Sequence, residues 1–220
     1  MGKIILAVIF LISIHPIYCQ KYDTKYIIYK ADSILHKVVG DSLYKYFTYD
    51  TNSYYEYIDE SGKTSWETLN EFPETKGDFV EIDVRFDFIY PLIEEIRGFS
   101  SVRFDKELIF KDSIYLDFIP DFLKENRKCD FISSERALEI AKNIFTHEGE
   151  YEIDASLNYN SNIYRYVYYV NVILKKYNEE TDDEFGYIEY VIVDALNGEV
   201  LEHQFGQYIK RMRWIDYLIK

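Results

Sequence analysis

The chain has 220 residues, a formal net charge of −14, 48% hydrophobic residues and 18% aromatic residues. A field of that sign repels phosphate backbones and anionic lipid, which argues against nucleic acid as a partner, and the hydrophobic content is too high for a disordered chain. The 23 tyrosines favour half-buried strand faces, so composition points to a sheet-rich globular protein.

Lys3 supplies a short positive start, and IILAVIFLISI at 4–14 is an apolar run of signal-peptide length, too short to span a bilayer. Pro16 stops an apolar helix, and IYCQ offers a cleavage site after Cys19, although Ile17 is larger than such sites prefer. Residues 1–19 are therefore expected to be a cleavable signal peptide and the mature chain to be periplasmic or secreted. Its charge is near −15, because Lys3 is the one charged residue that leaves. Cys19 permits a second reading, as the lipid-bearing cysteine of a lipoprotein, against which the bulk of Tyr18 stands. Without Cys19 the chain keeps Cys129 alone, which predicts a buried thiol and no internal disulfide. No later segment is long and apolar enough to span a membrane.

Residues 20–125 form an α+β region. DSILHKVV at 32–39 predicts a short helix capped by Asp32 and ended by Gly40, with Ile34, Leu35, Val38 and Val39 on its apolar side. A strand is expected from Ser42, with Tyr44, Tyr46 and Thr48 on one face, and a second at YYEYI. Residues 60–78 read as a polar loop. FVEIDVRFDF then alternates: Val80, Ile82, Val84, Phe86 and Phe88 predict a buried face, and Glu81, Asp83, Arg85 and Asp87 a wet one. Residues 101–110 read as a further strand or hairpin.

Pro120 and a run of charge mark a weak boundary. Beyond it Ser133 or Ser134 can cap a helix whose apolar stripe is Ala137, Leu138, Ala141, Ile144 and Phe145, with Gly149 as its stop. Four strands follow, beginning near Tyr151, Ile163, Phe185 and Glu199. The second is the longest, with Tyr164, Tyr166, Tyr168, Val170, Val172 and Leu174 on one face. Asn197-Gly198 predicts a tight hairpin between the last two strands, because both residues tolerate positive φ. The order predicts an α+β fold with a helix packed on an antiparallel sheet in the C-terminal half, and a similar helix-plus-strands arrangement in the N-terminal half. Residues 207–220 form a basic-aromatic tail, read as docking on its own domain.

SSERALEIAKNIF at 133–145, the tyrosine-rich strand at 164–174 and VIVDALNGEVLE at 191–202 together resemble the PepSY family. The resemblance covers residues 131–206, about a third of the chain. A Ser-capped helix opens that family's pattern, and a strand, an Asp, a turn ending in Gly and a Glu-Val-Leu strand close it. Asp194, Asn197 and Gly198 stand at the matching turn, where the Asp satisfies backbone amides. PepSY domains occur in propeptides of secreted metallopeptidases and in other envelope proteins, so the resemblance implies restraint of a peptidase. No peptidase follows in this chain, so such a partner would be another chain.

The histidines do not form a metal motif. His147-Glu148-Gly149 lacks a second His at i+4, and His36 and His203 are distant in sequence. No metal and no cofactor is expected; the acidic loop at 179–184 suits at most weak surface Ca²⁺ binding. The expected function is non-catalytic binding of a protein or peptide partner in the envelope, through Tyr164, Tyr166 and Tyr168 if their face is exposed. Two alternatives stand beside it. One is a hydrolase using the strand-face carboxylates Glu81, Asp83 and Asp87, which needs a concave pocket with converging acids. The other is a self-associating structural envelope protein.

Overall fold

The computed structural model describes residues 21–147, 155–178, 184–211 and 214–218. The expected signal peptide with Cys19, the start of the strand expected at Tyr151, and residues 179–183 of the acidic loop lie outside the described residues. The protein is a mixed α+β fold, mostly strand, with two five-stranded antiparallel sheets. No described helix is long and apolar enough to cross a membrane.

Helix α1 (Thr24–Tyr44) starts at Asp23, whose carboxylate accepts from the Tyr26 amide. Ile27, Ala31 and Leu35 are fully buried at helical spacing. The helix thus begins well before the expected 32–39, and Asp32 does not cap it but accepts from the Tyr44 hydroxyl. Gly40 breaks the regular helix with φ +72°, yet a further turn runs through Tyr44, so the strand expected from Ser42 shrinks to β1 (Phe47–Tyr49). Val38, expected on the apolar side, is exposed.

The first sheet holds β1, β2 (Tyr54–Ile58), β3 (Thr64–Thr68), β4 (Asp78–Ile89) and β5 (Arg97–Asp105), with β4 pairing β1 and β2 along one edge and β5 along the other. β3 falls inside the stretch expected to be a loop. None of its residues is fully buried, and the turn before it is built by Asp59, whose carboxylate accepts from the Ser61 and Lys63 amides. A bulge corrects the expected apolar face of β4: Glu56 pairs Glu81 but Tyr57 pairs Phe79, so Phe79 is buried and Val80 exposed. Ile82, Val84, Phe86 and Phe88 are buried as expected. Helix α1 and the inner face of this sheet share one core, containing Ile27, Ala31, Leu35, Ile82, Val84 and Phe104.

A short α2 (Asp121–Lys124) precedes α3 (Ser134–Lys142), which is capped by the Ser133 hydroxyl accepting from the Arg136 amide. Ile144 and Phe145, expected within this helix, lie just beyond its end and pack partly buried. The second sheet runs in the order β10-β9-β8-β7-β6, with β6 (Ser156–Asn160), β7 (Arg165–Asn178), β8 (Glu184–Asp194), β9 (Val200–Arg211) and β10 (Trp214–Leu218). The described residues of the basic-aromatic tail are strand: 207–211 continue β9, and 214–218 form β10, which pairs antiparallel with it. A register shift between Ile173 and Lys175 takes Leu174 off the expected tyrosine face.

One core spans the weak boundary near residue 125. Leu43, Phe88, Ile96, Phe118 and Phe122 are buried in the same cluster as Ala137, Ala141, Tyr168, Val170, Val191 and Val193. Cys129 is half-buried against it rather than fully buried. Gly98 of β5 sits beneath the Phe118 ring, where an added Cβ would come within 2.7 Å of the ring. Gly98→Ala is therefore expected to lower stability by about 1–3 kcal/mol, from overpacking that only displacement of Phe118 relieves, as read from the urea midpoint.

Candidate functional site

The three candidate tyrosines separate. Tyr166 and Tyr168 are buried on β7, and their hydroxyls donate to the Phe118 carbonyl at 2.7 Å and the Ile132 carbonyl at 2.8 Å. Burial pushes the Tyr168 phenol up to about 12 and raises that of Tyr166 further still. These two are struts between the sheet and the segments before α3, because buried phenols need partners and the segments at 118 and 132 supply them, so the exposure on which the tyrosine site depends is not met at Tyr166 and Tyr168. Tyr164 is not on the strand. It sits in the β6–β7 turn with φ +55° and 65% of its surface exposed. A bulky side chain in the left-handed region costs on the order of 1–3 kcal/mol and persists where the surrounding structure enforces it.

The β8–β9 turn lies beside that hairpin tip. The Arg165 guanidinium donates to Asp194 at 3.0 Å and the Ala195 amide to the Tyr166 carbonyl at 3.1 Å. The other carboxylate oxygen of Asp194 accepts from the Leu196 amide at 2.8 Å and the Asn197 amide at 3.3 Å, so it satisfies turn amides as an aspartate at that position can. Only Gly198 takes a positive φ, +73°, so the connection is a longer Asp-anchored turn rather than a two-residue Asn-Gly hairpin. Gly198 also faces α3, where an added Cβ would meet Ile140 Cδ1 at 2.9 Å. Ile163, Tyr164 and Leu196 are the exposed large apolar side chains on these two adjoining turns.

A buried carboxylate that no sequence motif marks lies on β8. Glu189 of β8 is fully buried and accepts from the Thr146 amide at 2.7 Å, the Thr146 hydroxyl at 3.0 Å and the His147 amide at 3.1 Å. His203 Nε2 stands 2.7 Å from one oxygen and His147 Nδ1 3.3 Å from the other. Desolvation alone would raise this carboxyl, but the Thr146 amide, His203 and the Thr146 hydroxyl outweigh it and hold it below the usual carboxylate range. The signal for it is a lone acid in the apolar run YIEYVIV, which requires partners if that run is core. His147 and His203, far apart in sequence, meet at this carboxylate. Among the described residues no group of three or more His, Cys, Asp or Glu is placed to hold a metal ion.

Among the described residues, the β4 carboxylates Glu81, Asp83 and Asp87 each have separate surroundings. Glu81 accepts from Lys111 at 3.0 Å. Asp83 is 3% exposed, which corrects the expected wet face at that position, because Arg85 and Arg103 lie against it. The Asp87 carboxyl is raised by burial and then by the charge of Asp50. A cleft of about 590 Å³ is lined instead by Lys21, Tyr57, Asp59, Glu60, Lys76 and Asp78 among others, with none of these three. Its Asp59 serves as a turn cap, and the Ser61 hydroxyl and Lys63 amide lower its carboxyl.

No protein-family model, curated protein or solved structure matches this chain.

Proposed function

We propose that this is an exported, non-catalytic binding protein. Residues 131–206 would be a PepSY-like helix-on-sheet module that engages a protein or peptide partner in the envelope, a peptidase being the partner class the resemblance implies. The observation that carries this reading is Tyr164. It is an exposed ring on a backbone held at φ +55°, beside exposed Ile163 and Leu196, at the end of the sheet built around the Asp194–Gly198 turn. Tyrosine is enriched among residues that dominate binding energy, and strain in an exposed loop fits a preset contact rather than a packing need. The Ser133 cap of α3 and the approach of Gly198 to Ile140 support the helix-on-sheet part.

The test is capture. Immobilised residues 20–220 are incubated with envelope and culture extract of the source organism, and bound proteins are identified by mass spectrometry. Because the core spans both halves, the control is the point variant Tyr164→Ala rather than deletion of residues 131–206. A peptidase retained saturably by the wild type and lost with Tyr164→Ala is the expected result. Equal retention by both, or retention of nothing but further copies of the chain, contradicts the proposal.

A further inference from the structure

The outer face of the first sheet, opposite α1, carries a second arrangement. Register places Trp66, Tyr54, Asp83, Arg103, Arg85 and Phe99 on this one face. Trp66 is 71% and Phe99 59% exposed. The Arg85 guanidinium lies between two rings, 5.1 Å from the centre of Tyr54 and 5.9 Å from that of Phe99. Asp83 sits below, with one oxygen 3.8 Å from Arg85 Nε and 3.7 Å from Arg103 Nε, too long for hydrogen bonds. Its other oxygen and Arg85 Nε are buried with no hydrogen-bond partner among the described residues. Buried polar atoms without a partner are few in a native fold, and each calls for an explanation.

We propose that this face binds a neutral glycan chain. Both atoms are buried, so a hydroxyl, which donates and accepts, meets them once the part-exposed Arg85 side chain moves aside. The exposed rings offer apolar platforms to the C–H faces of sugar rings. Trp66 and Phe99 are three strands and six residues apart, roughly 25 Å at ordinary sheet spacings, so the platform suits an extended chain rather than one sugar. An anionic glycan is excluded by charge: the carboxylates of Glu81 and Asp87 lie on the same face, on a chain of net charge −14. The site is independent of Tyr164 and of the PepSY-like reading.

The test is isothermal titration of residues 20–220 with cellohexaose, chitohexaose and mannohexaose at millimolar concentration. Saturable binding of at least one is expected, weakened roughly tenfold or more by Trp66→Ala and by Phe99→Ala and unchanged by Tyr164→Ala. Both rings are exposed, so these variants keep the core, and an unchanged circular dichroism spectrum verifies it. No binding of any of the three sugars overturns the proposal, as does binding that survives both ring substitutions. An envelope protein captured through Trp66 without sugar binding overturns it in favour of a peptide-binding face.

Discussion

Glu189→Ala is expected to lower stability by about 3–5 kcal/mol, because it leaves the Thr146 and His147 amides and His203 without their common acceptor inside the fold. Glu189→Gln keeps one acceptor oxygen and costs less. The pH dependence has a definite sign. The folded-state carboxyl is held below its unfolded value, so its contribution is complete above the unfolded glutamate pKa of about 4.3. It is lost as pH falls from there through the folded value. Urea midpoints measured between neutral pH and acid should therefore show the difference between wild type and Glu189→Gln shrinking on acidification. A difference that is constant with pH contradicts an ionised Glu189. The same node ties the segment after α3 to β8, so hydrogen exchange at Thr146 should accelerate in Glu189→Ala.

Phe88→Ala is the second large effect. Phe88 is fully buried, with its ring edge-on to Phe47 and Phe118, in the cluster that also holds Ala137, Val170 and Val193. Removing a buried phenylalanine ring costs about 3–5 kcal/mol. The position lies in the first sheet, yet its neighbours reach the second through Phe118, whose carbonyl accepts from Tyr166. A single unfolding transition shifted to lower urea, seen equally by tyrosine fluorescence and far-ultraviolet circular dichroism, is expected. Separate transitions, with only one displaced by Phe88→Ala, would mean that the shared core does not couple the two sheets.

Much of the fold was readable from period and punctuation. Ser133, the apolar stripe at Ala137 and Ala141, the long alternating run of β4 and the long apolar runs of β7 and β8 carry enough repeats to overcome noise. Errors fall where one residue changes register or where tertiary partners decide. A single bulge moved Phe79 inward and Val80 outward, which no alternation count can place. The start of helix α1 is hard to read because its buried positions Ile27 and Ala31 are separated by Ile28, Tyr29 and Lys30, which mix apolar, aromatic and charged side chains. Tyr166 and Tyr168 alternate like an exposed platform, but their hydroxyls are met by carbonyls from segments more than thirty residues away. The Asp194 turn was legible because Asx geometry is local. The Glu189 node and the Asp83–Arg85–Arg103 face were not, since each joins residues from separate elements.

The partner-binding reading is tested most directly by the dissociation constant of the captured partner for three forms of residues 20–220: wild type, Tyr164→Ala and Trp66→Ala. The expected result is a loss of roughly 30-fold, about 2 kcal/mol, for Tyr164→Ala, with Trp66→Ala indistinguishable from wild type. Wild-type affinity in Tyr164→Ala would contradict the assignment of the β6–β7 turn as the partner contact.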